Sequence, residues 1–197
     1  MSPAGAGSVL RAKSARPKLS PILGGLLTLM LVMPVSSAAQ DPRVPTASPL
    51  PDSMEVVGAF DYDWSVWTAA GDEVELSEYR GEVLVVNLWA TWCPPCVAEL
   101  GTFERLRQAL DNLGSGVKLL LVSPEEPDLV REFAARQGLA GDLVTEARRM
   151  PESLGDLVLP TTFVVDRAGR IVLRHRGASD WAQPEVLAFL RALEGVR

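Results

Sequence analysis

The chain has 197 residues, of which 47% are hydrophobic and 22% charged, with a formal net charge of −6. That is enough for one domain with a real core plus an additional segment. Residues 1–39 hold four basic side chains and no acid, so the remainder carries 15 basic against 25 acidic groups, a net −10. A domain so acidic is a poor electrostatic match for nucleic acid, whose binding rests on neutralising phosphates, and gains nothing from an anionic membrane surface.

The N-terminus is a basic flank (Arg11, Lys13, Arg16, Lys18) joined to the uncharged stretch LSPILGGLLTLMLVMPVSSAAQ. Its apolar centre, Ile22 to Val35, ends in small residues, and Ser37-Ala38-Ala39 has the small-x-small pattern of a signal peptidase site. The alternative is an uncleaved anchor, because residues 19–39 are long enough to span a bilayer of roughly 30 Å. In either case the basic flank stays cytoplasmic and the remainder of the chain is exported. No cysteine lies near the cleavage position, which excludes a lipoprotein. Pro42, Pro45, Pro49 and Pro51 then mark residues 40–56 as an extended linker. At about 3.1 Å per residue it could reach roughly 50 Å. Residues 57–197 form the predicted domain.

Trp64–Thr68 and Val74–Leu76 are predicted strands of a hairpin around the turn AAGD. Ser77 is placed to cap the short helical turn SEYR. Val83–Ala90, VLVVNLWA, is a continuous apolar run of the kind buried on both faces of a sheet. A helix should come next, with Cys93 as N-cap, Pro94 at the first helical position, and Leu100, Phe103, Leu106 and Leu110 at helical spacing. Val117–Ser123 is a second buried strand. Pro127 opens a helix that Gly138 closes. DLVT (142–145) is a short strand and ARRMPESLG (147–155) a short helix interrupted at Pro151. TTFVVD and RIVLRHRG are strands joined by the hairpin turn Arg167-Ala168-Gly169. Pro184 begins a last helix with Val186, Leu187, Leu190 and Leu193 inward. The pattern predicts an α/β domain with a central mixed sheet flanked by helices and an N-terminal β-hairpin.

Both cysteines of the chain, Cys93 and Cys96, lie in WCPPC. Zinc needs four ligands, and the chain offers two cysteines and one histidine, His175. Haem attachment needs histidine after the second cysteine, where Val97 stands. A structural staple across so short a loop would contribute only about 2 kcal/mol. Redox chemistry is what remains. A cysteine at a helix N-terminus feels the positive end of the helix dipole, which favours its thiolate. Cys96, one turn on, lies on the same face. Cys93 is therefore the attacking thiol and Cys96 the resolving thiol. Pro94 and Pro95 remove two N–H groups from the Cys93 sulfur and leave that of Cys96 as the nearest. A less stabilised thiolate makes a weaker oxidant, so the sequence leans towards a reductant. The dithiol needs no cofactor and no metal for this chemistry.

WCPPC after VLVVNLWAT, with LPTTFVVDRAGRIVLRHRG, resembles the thioredoxin fold and, more narrowly, the TlpA/ResA/CcmG group of exported thiol-disulfide oxidoreductases. The resemblance extends over about residues 57–195 and includes the N-terminal hairpin and the loop GDEVELSEYRGE. It implies that Cys93 is the nucleophile, that Cys96 resolves, and that Pro160 is the cis-proline facing the pair. It also implies a client-binding surface of Trp92, Pro94, Pro95, Leu159, Pro160 and Thr161. Thioredoxin proper has a buried aspartate six positions before the nucleophile, where this chain has Asn87. The exported group has a glutamate three residues after the second cysteine, which Glu99 matches, and a proline soon after, where this chain has Leu100-Gly101. Glu99 is thereby implied as the catalytic group that takes the Cys96 proton or raises the thiol pKa values.

Other residues are expected to be structural. Trp89 is read as core, His175 as surface, and Trp181 as packing for the last helix, while Trp64 and Trp67 either cover the hairpin or form part of a partner surface. The function expected is reduction of disulfides in exported proteins, with cytochrome c maturation clients fitting the resemblance and a membrane thiol donor regenerating the dithiol. A copper-handling module is the alternative, since thiolates suit Cu(I). A peroxidase is another, although P-x-x-x-T-x-x-C does not precede Cys93.

Overall fold

A computed structural model describes residues 56–139 (save Ala69), 158–195 and the backbone of 144–147. It also describes positions 42, 44, 48–50, 151 and 154. The expected signal or anchor segment, most of the linker and most of the helix expected at 147–155 lie outside the described residues. Among those described, no helix is long and apolar enough to cross a membrane.

Eight strands form one mixed sheet. They are β1 (Gly58–Ala59), β2 (Ser65–Thr68), β3 (Glu73–Glu75), β4 (Leu84–Leu88), β5 (Lys118–Ser123), β6 (Val144–Ala147), β7 (Thr161–Val165) and β8 (Arg170–Arg176). Their order is β1-β8-β7-β4-β5-β6-β2-β3. The centre is β4, parallel to β5 and antiparallel to β7. All five of its residues are buried, as in a strand covered on both faces. The hairpin β2–β3 extends the same sheet by pairing β2 with β6. Several boundaries differ from expectation by a residue or two, β3 and β4 among them. Residues 142–143 of DLVT lie outside the described residues, β6 takes in Ala147, expected in the following helix, and the edge strand β1, too short for a sequence pattern, pairs with β8.

Three helices are described: α1 (Pro94–Asn112), α2 (Pro127–Gln137) and α3 (Pro184–Gly195). Prolines stand in the first turn of α1 and α2, where a missing N–H costs nothing. Gly138 ends α2 in the left-handed conformation, φ 67°, that glycine adopts freely. Gly169 closes the β7–β8 turn at φ +78°, where a Cβ would also meet the Tyr62 ring at 3.3 Å. Ser77 caps nothing. It lies inside a 3-10 turn, Leu76–Tyr79, with Glu75 at the cap position and no side-chain cap bond.

The sheet separates two buried clusters. On one face Val83, Val85 and Trp89 meet Leu100, Phe103, Leu106 and Leu110 of α1, Val130 and Ala134 of α2, and Val186 and Leu190 of α3. Leu187 and Leu193 are partly buried against it. On the other, Leu84, Val86 and Leu88 pack with Phe60, Tyr62, Trp64 and Leu76. Trp64 thus covers the sheet, and its indole N–H donates to the Asp61 carbonyl at 2.9 Å. The alternation along β4 puts Asn87 on the helix face, the one polar residue of that strand.

Candidate active site

The chain leaves β4 at Leu88, buries Trp89 against Phe133 (ring centroids 5.5 Å apart), and turns through Thr91 and Trp92 into α1. Glu125, just beyond β5, holds this turn. Its carboxylate accepts from the Thr91 backbone N–H at 2.6 Å and from the Thr91 hydroxyl at 2.7 Å, and Ser123 Oγ donates to it at 3.1 Å. The loops that end two neighbouring parallel strands are thereby tied together directly before the cysteines.

Cys93 is the N-cap of α1, and Cys93 and Cys96 are joined in a disulfide. The Cys96 backbone N–H points at Cys93 Sγ, 3.4 Å away, the donor that remains once Pro94 and Pro95 have removed the other two. Cys93 is 5% exposed and Cys96 fully buried. The outer sulfur is therefore the one a partner reaches first. Trp92 is 68% exposed beside it, and Pro94 and Pro95 are exposed as well.

Glu99 is fully buried on α1, one turn after Cys96. Helix α1 continues through Gly101, so the absence of proline there does not turn Glu99 outward. Three donors converge on its carboxyl: Asn87 Nδ2 to Oε1 at 2.9 Å, and the Ser179 N–H and Trp181 Nε1–H to Oε2 at 3.1 and 3.2 Å. Burial pushes its pKa up to about 7, against the pull of the three hydrogen bonds. A carboxyl that titrates near neutrality can take a proton from a thiol and give it back, which a surface glutamate cannot do efficiently.

Across the sheet the Leu159–Pro160 peptide is cis. Thr161 pairs with Leu88 at the end of β4, and Leu159 packs against the cluster holding both cysteines. The loop before β7 is thus brought beside the disulfide. Val158 is 47% exposed there, next to half-buried Leu159. Pro160 and Thr161 are buried, and the Thr161 hydroxyl donates to the Val158 carbonyl at 2.5 Å. Thr161 braces this loop, and β4 and β8 flank its backbone on both sides.

Two residues expected to be structural or exposed belong to this site. Trp181 is fully buried, stacks on Phe103 (centroids 5.4 Å, planes 15° apart) and bonds Glu99. His175 is only partly exposed, not open to solvent as expected. It is half-buried, edge-on to Trp181 at 5.7 Å, and burial lowers its pKa while a hydrogen bond with the Pro49 backbone raises it. The parity of β8 explains this: His175 pairs with Thr162, Thr162 with Asn87, and the three share one row on the helix face. Ser179 and Glu125 also carry no motif that distinguishes them from other loop residues. Among the described residues, no three His, Cys, Asp or Glu side chains group as a metal site.

Residues 57–174 match the AhpC/TSA family. The chain belongs to that family. This AhpC/TSA chain is 34% identical over 117 residues to the thiol-disulfide oxidoreductase ResA of Geobacillus thermodenitrificans. The match covers 58% of this chain and 66% of that relative, just under two thirds of the relative's length. Among solved structures, it resembles a thiol:disulfide interchange protein of the thioredoxin family from Chlorobium tepidum. The TM-score is 0.52 at 20% identity, over 72% of this chain and 99% of that one. It also resembles a secreted thiol-disulfide isomerase from Corynebacterium glutamicum, with a TM-score of 0.51 at 22% identity, over 70% of this chain and 84% of that one. Likeness at these identities establishes the thioredoxin-like fold of the AhpC/TSA chain.

Proposed function

We propose that the protein is an exported thiol-disulfide oxidoreductase that reduces disulfides in other exported proteins. The observation that carries this is the Cys93–Cys96 pair at the start of α1 with buried Glu99 one turn behind it. The Cys93 thiolate attacks one sulfur of a client disulfide and expels the other as thiolate, leaving Cys93 in a mixed disulfide. Glu99 takes the Cys96 proton. The Cys96 thiolate then attacks Cys93 Sγ and releases the second client sulfur. The client gains two electrons and two protons, and the Cys93–Cys96 disulfide is left. A membrane thiol donor restores the dithiol.

Trp92, Pro94, Pro95, Val158 and Leu159 form the surface against which an extended client segment lies, with the backbone just before Pro160 as its edge. Residues 1–39 direct export, as a cleaved signal or as an anchor, and 40–56 give the domain its reach. Similarity to ResA and to a secreted isomerase supports an extracytoplasmic place. Apoproteins awaiting covalent haem attachment, which need free cysteines, are the client class that fits best.

The test is insulin reduction by the purified domain. Replacing Cys93 by Ser should abolish it, and retained activity would sink the reading. Rapid peroxide consumption by the wild-type dithiol would instead favour a peroxidase. Tight stoichiometric Cu(I) binding that requires both cysteines would favour copper handling.

A further inference from the structure

Glu99 is not held by its own helix. Two of its three donors come from the segment between β8 and α3, residues 177–183, whose sequence suggests packing alone. Trp181 in that segment is fixed on every side. Its ring stacks on Phe103 and meets the His175 edge. Its backbone N–H donates to Thr102 Oγ1 at 3.2 Å, and the Thr102 hydroxyl donates to the Glu99 carbonyl at 2.7 Å. An indole so confined cannot turn its N–H elsewhere without breaking the core.

We propose that Trp181 is a positioning residue for the thiol chemistry: its indole N–H, with the Ser179 amide, holds the buried Glu99 carboxyl in register with Cys96 and sets the pH at which that carboxyl releases its proton. This rests on the proton role proposed for Glu99. The physical reason is the charge asymmetry of the cradle. Asn87 Nδ2, Ser179 N–H and Trp181 Nε1–H are all donors, so each stabilises the carboxylate over the acid. The other groups around this packing are Cys96 on α1, neutral Thr162 on β7, His175 on β8 behind the indole, and the Arg105–Asp180 pair at 3.3 Å. Asp180 is already engaged by Arg105. His175 faces the Trp181 ring.

Trp181→Phe retains a stacked ring and deletes one N–H. A residue that only packs would leave the pH dependence of reduction in place. The experiment follows the rate at which the reduced protein reduces insulin from pH 5 to 9 in wild type, Glu99→Gln, Trp181→Phe and His175→Gln. Glu99→Gln should lose the limb of the profile that reports the carboxyl. Trp181→Phe should keep that limb and move its midpoint up by about one pH unit, the worth of one hydrogen bond to a charged group. His175→Gln should leave the midpoint where it is. A limb that survives in Glu99→Gln overturns the proton role of Glu99 and this proposal with it. A limb lost in Glu99→Gln but unmoved in Trp181→Phe, or moved as far by His175→Gln, overturns this proposal alone. If Trp181→Phe does not fold, the wild-type indole N–H decides. Its NMR shift should titrate with the midpoint of the rate profile and stop titrating in Glu99→Gln, and an indole N–H that ignores this midpoint overturns the proposal.

Discussion

Asn87 Nδ2 donates to Glu99 Oε1 at 2.9 Å, joining the central strand to the helix that carries both cysteines. The same Nδ2 reaches Thr162 Oγ1 at 2.9 Å on the next strand. Asn87 lies on the helix face of β4, where a carboxylate would have to be buried. An amide supplies a donor there without adding a charge. The carboxyl proposed to handle the proton stands on α1 instead, and Asn87 is one of its supports.

The first prediction concerns stability and pH. The pKa of Glu99 rises from 4.5 to about 7 on folding because burial penalises its charge. Between those values the folded state holds a proton that the unfolded chain has released. Stability therefore falls as pH rises through this window. The displacement amounts to about 3 kcal/mol, complete by about pH 8. Glu99→Gln removes this contribution. Urea unfolding of the oxidised protein at pH 4.5 and pH 8 should show a wild-type loss that is smaller by about 3 kcal/mol in Glu99→Gln. Parallel pH dependences would mean that Glu99 ionises as freely folded as unfolded.

A second prediction tests the amide itself. Asn87→Asp places two carboxyls at hydrogen-bond distance in a dry site, where both cannot ionise together. One proton should be retained well above neutrality. The variant should match wild type within about 1 kcal/mol at pH 5 and fall at least about 2 kcal/mol below it at pH 8. A uniform loss at both values would assign the effect to shape instead of charge.

The strands and helices are legible in the sequence because their signals are local. The run from Val83 to Ala90 marks the buried strand β4 at its centre, Pro127 and Gly138 bracket α2, and the two prolines set Cys93 as a cap. The cysteine chemistry is legible by counting ligands. The placement of Ser77 fails because a 3-10 turn starting at Leu76 leaves that hydroxyl inside the turn. His175 and Trp181 escape the sequence for a different reason. Charged neighbours on both sides of His175 suggest solvent, but strand parity turns only every second side chain outward. The packing role of Trp181 is legible, whereas its N–H partner lies 82 residues away on α1. Glu125 shows the same limit, since its link to Thr91 spans 34 residues and two strands. Partnerships of that kind are set by sheet order, which local periodicity does not encode.

A third prediction separates client binding from chemistry. Trp92 is 68% exposed and donates nothing to the core, so Trp92→Ala should change stability by less than about 0.5 kcal/mol. In the proposed reading it belongs to the surface a client meets, and tryptophan is enriched among the contacts that carry binding energy. Its loss should raise KM for insulin severalfold and leave the reaction with a small aromatic disulfide almost untouched. Equal slowing with both substrates would mean that Trp92 acts on the sulfur and not on the client.

The last prediction concerns the turn that presents Cys93. Glu125 receives both the N–H and the hydroxyl of Thr91 at 2.6 and 2.7 Å, two residues before the cap. Hydrogen bonds to a charged acceptor contribute about 1.5–3 kcal/mol each, and the half-buried position of Glu125 favours the low end. Glu125→Ala should therefore cost about 2 kcal/mol of stability. It should also speed hydrogen exchange at the Thr91 amide by about 30-fold, because local opening no longer breaks that bond. Glu125→Gln keeps acceptors without the charge and should fall between the two. Reduction of insulin should slow in the same order as the exchange rises, since the cap that shapes the Cys93 site loosens with its tether. Unchanged Thr91 exchange in Glu125→Ala would show that β4 and α1 hold the turn without help from the neighbouring strand.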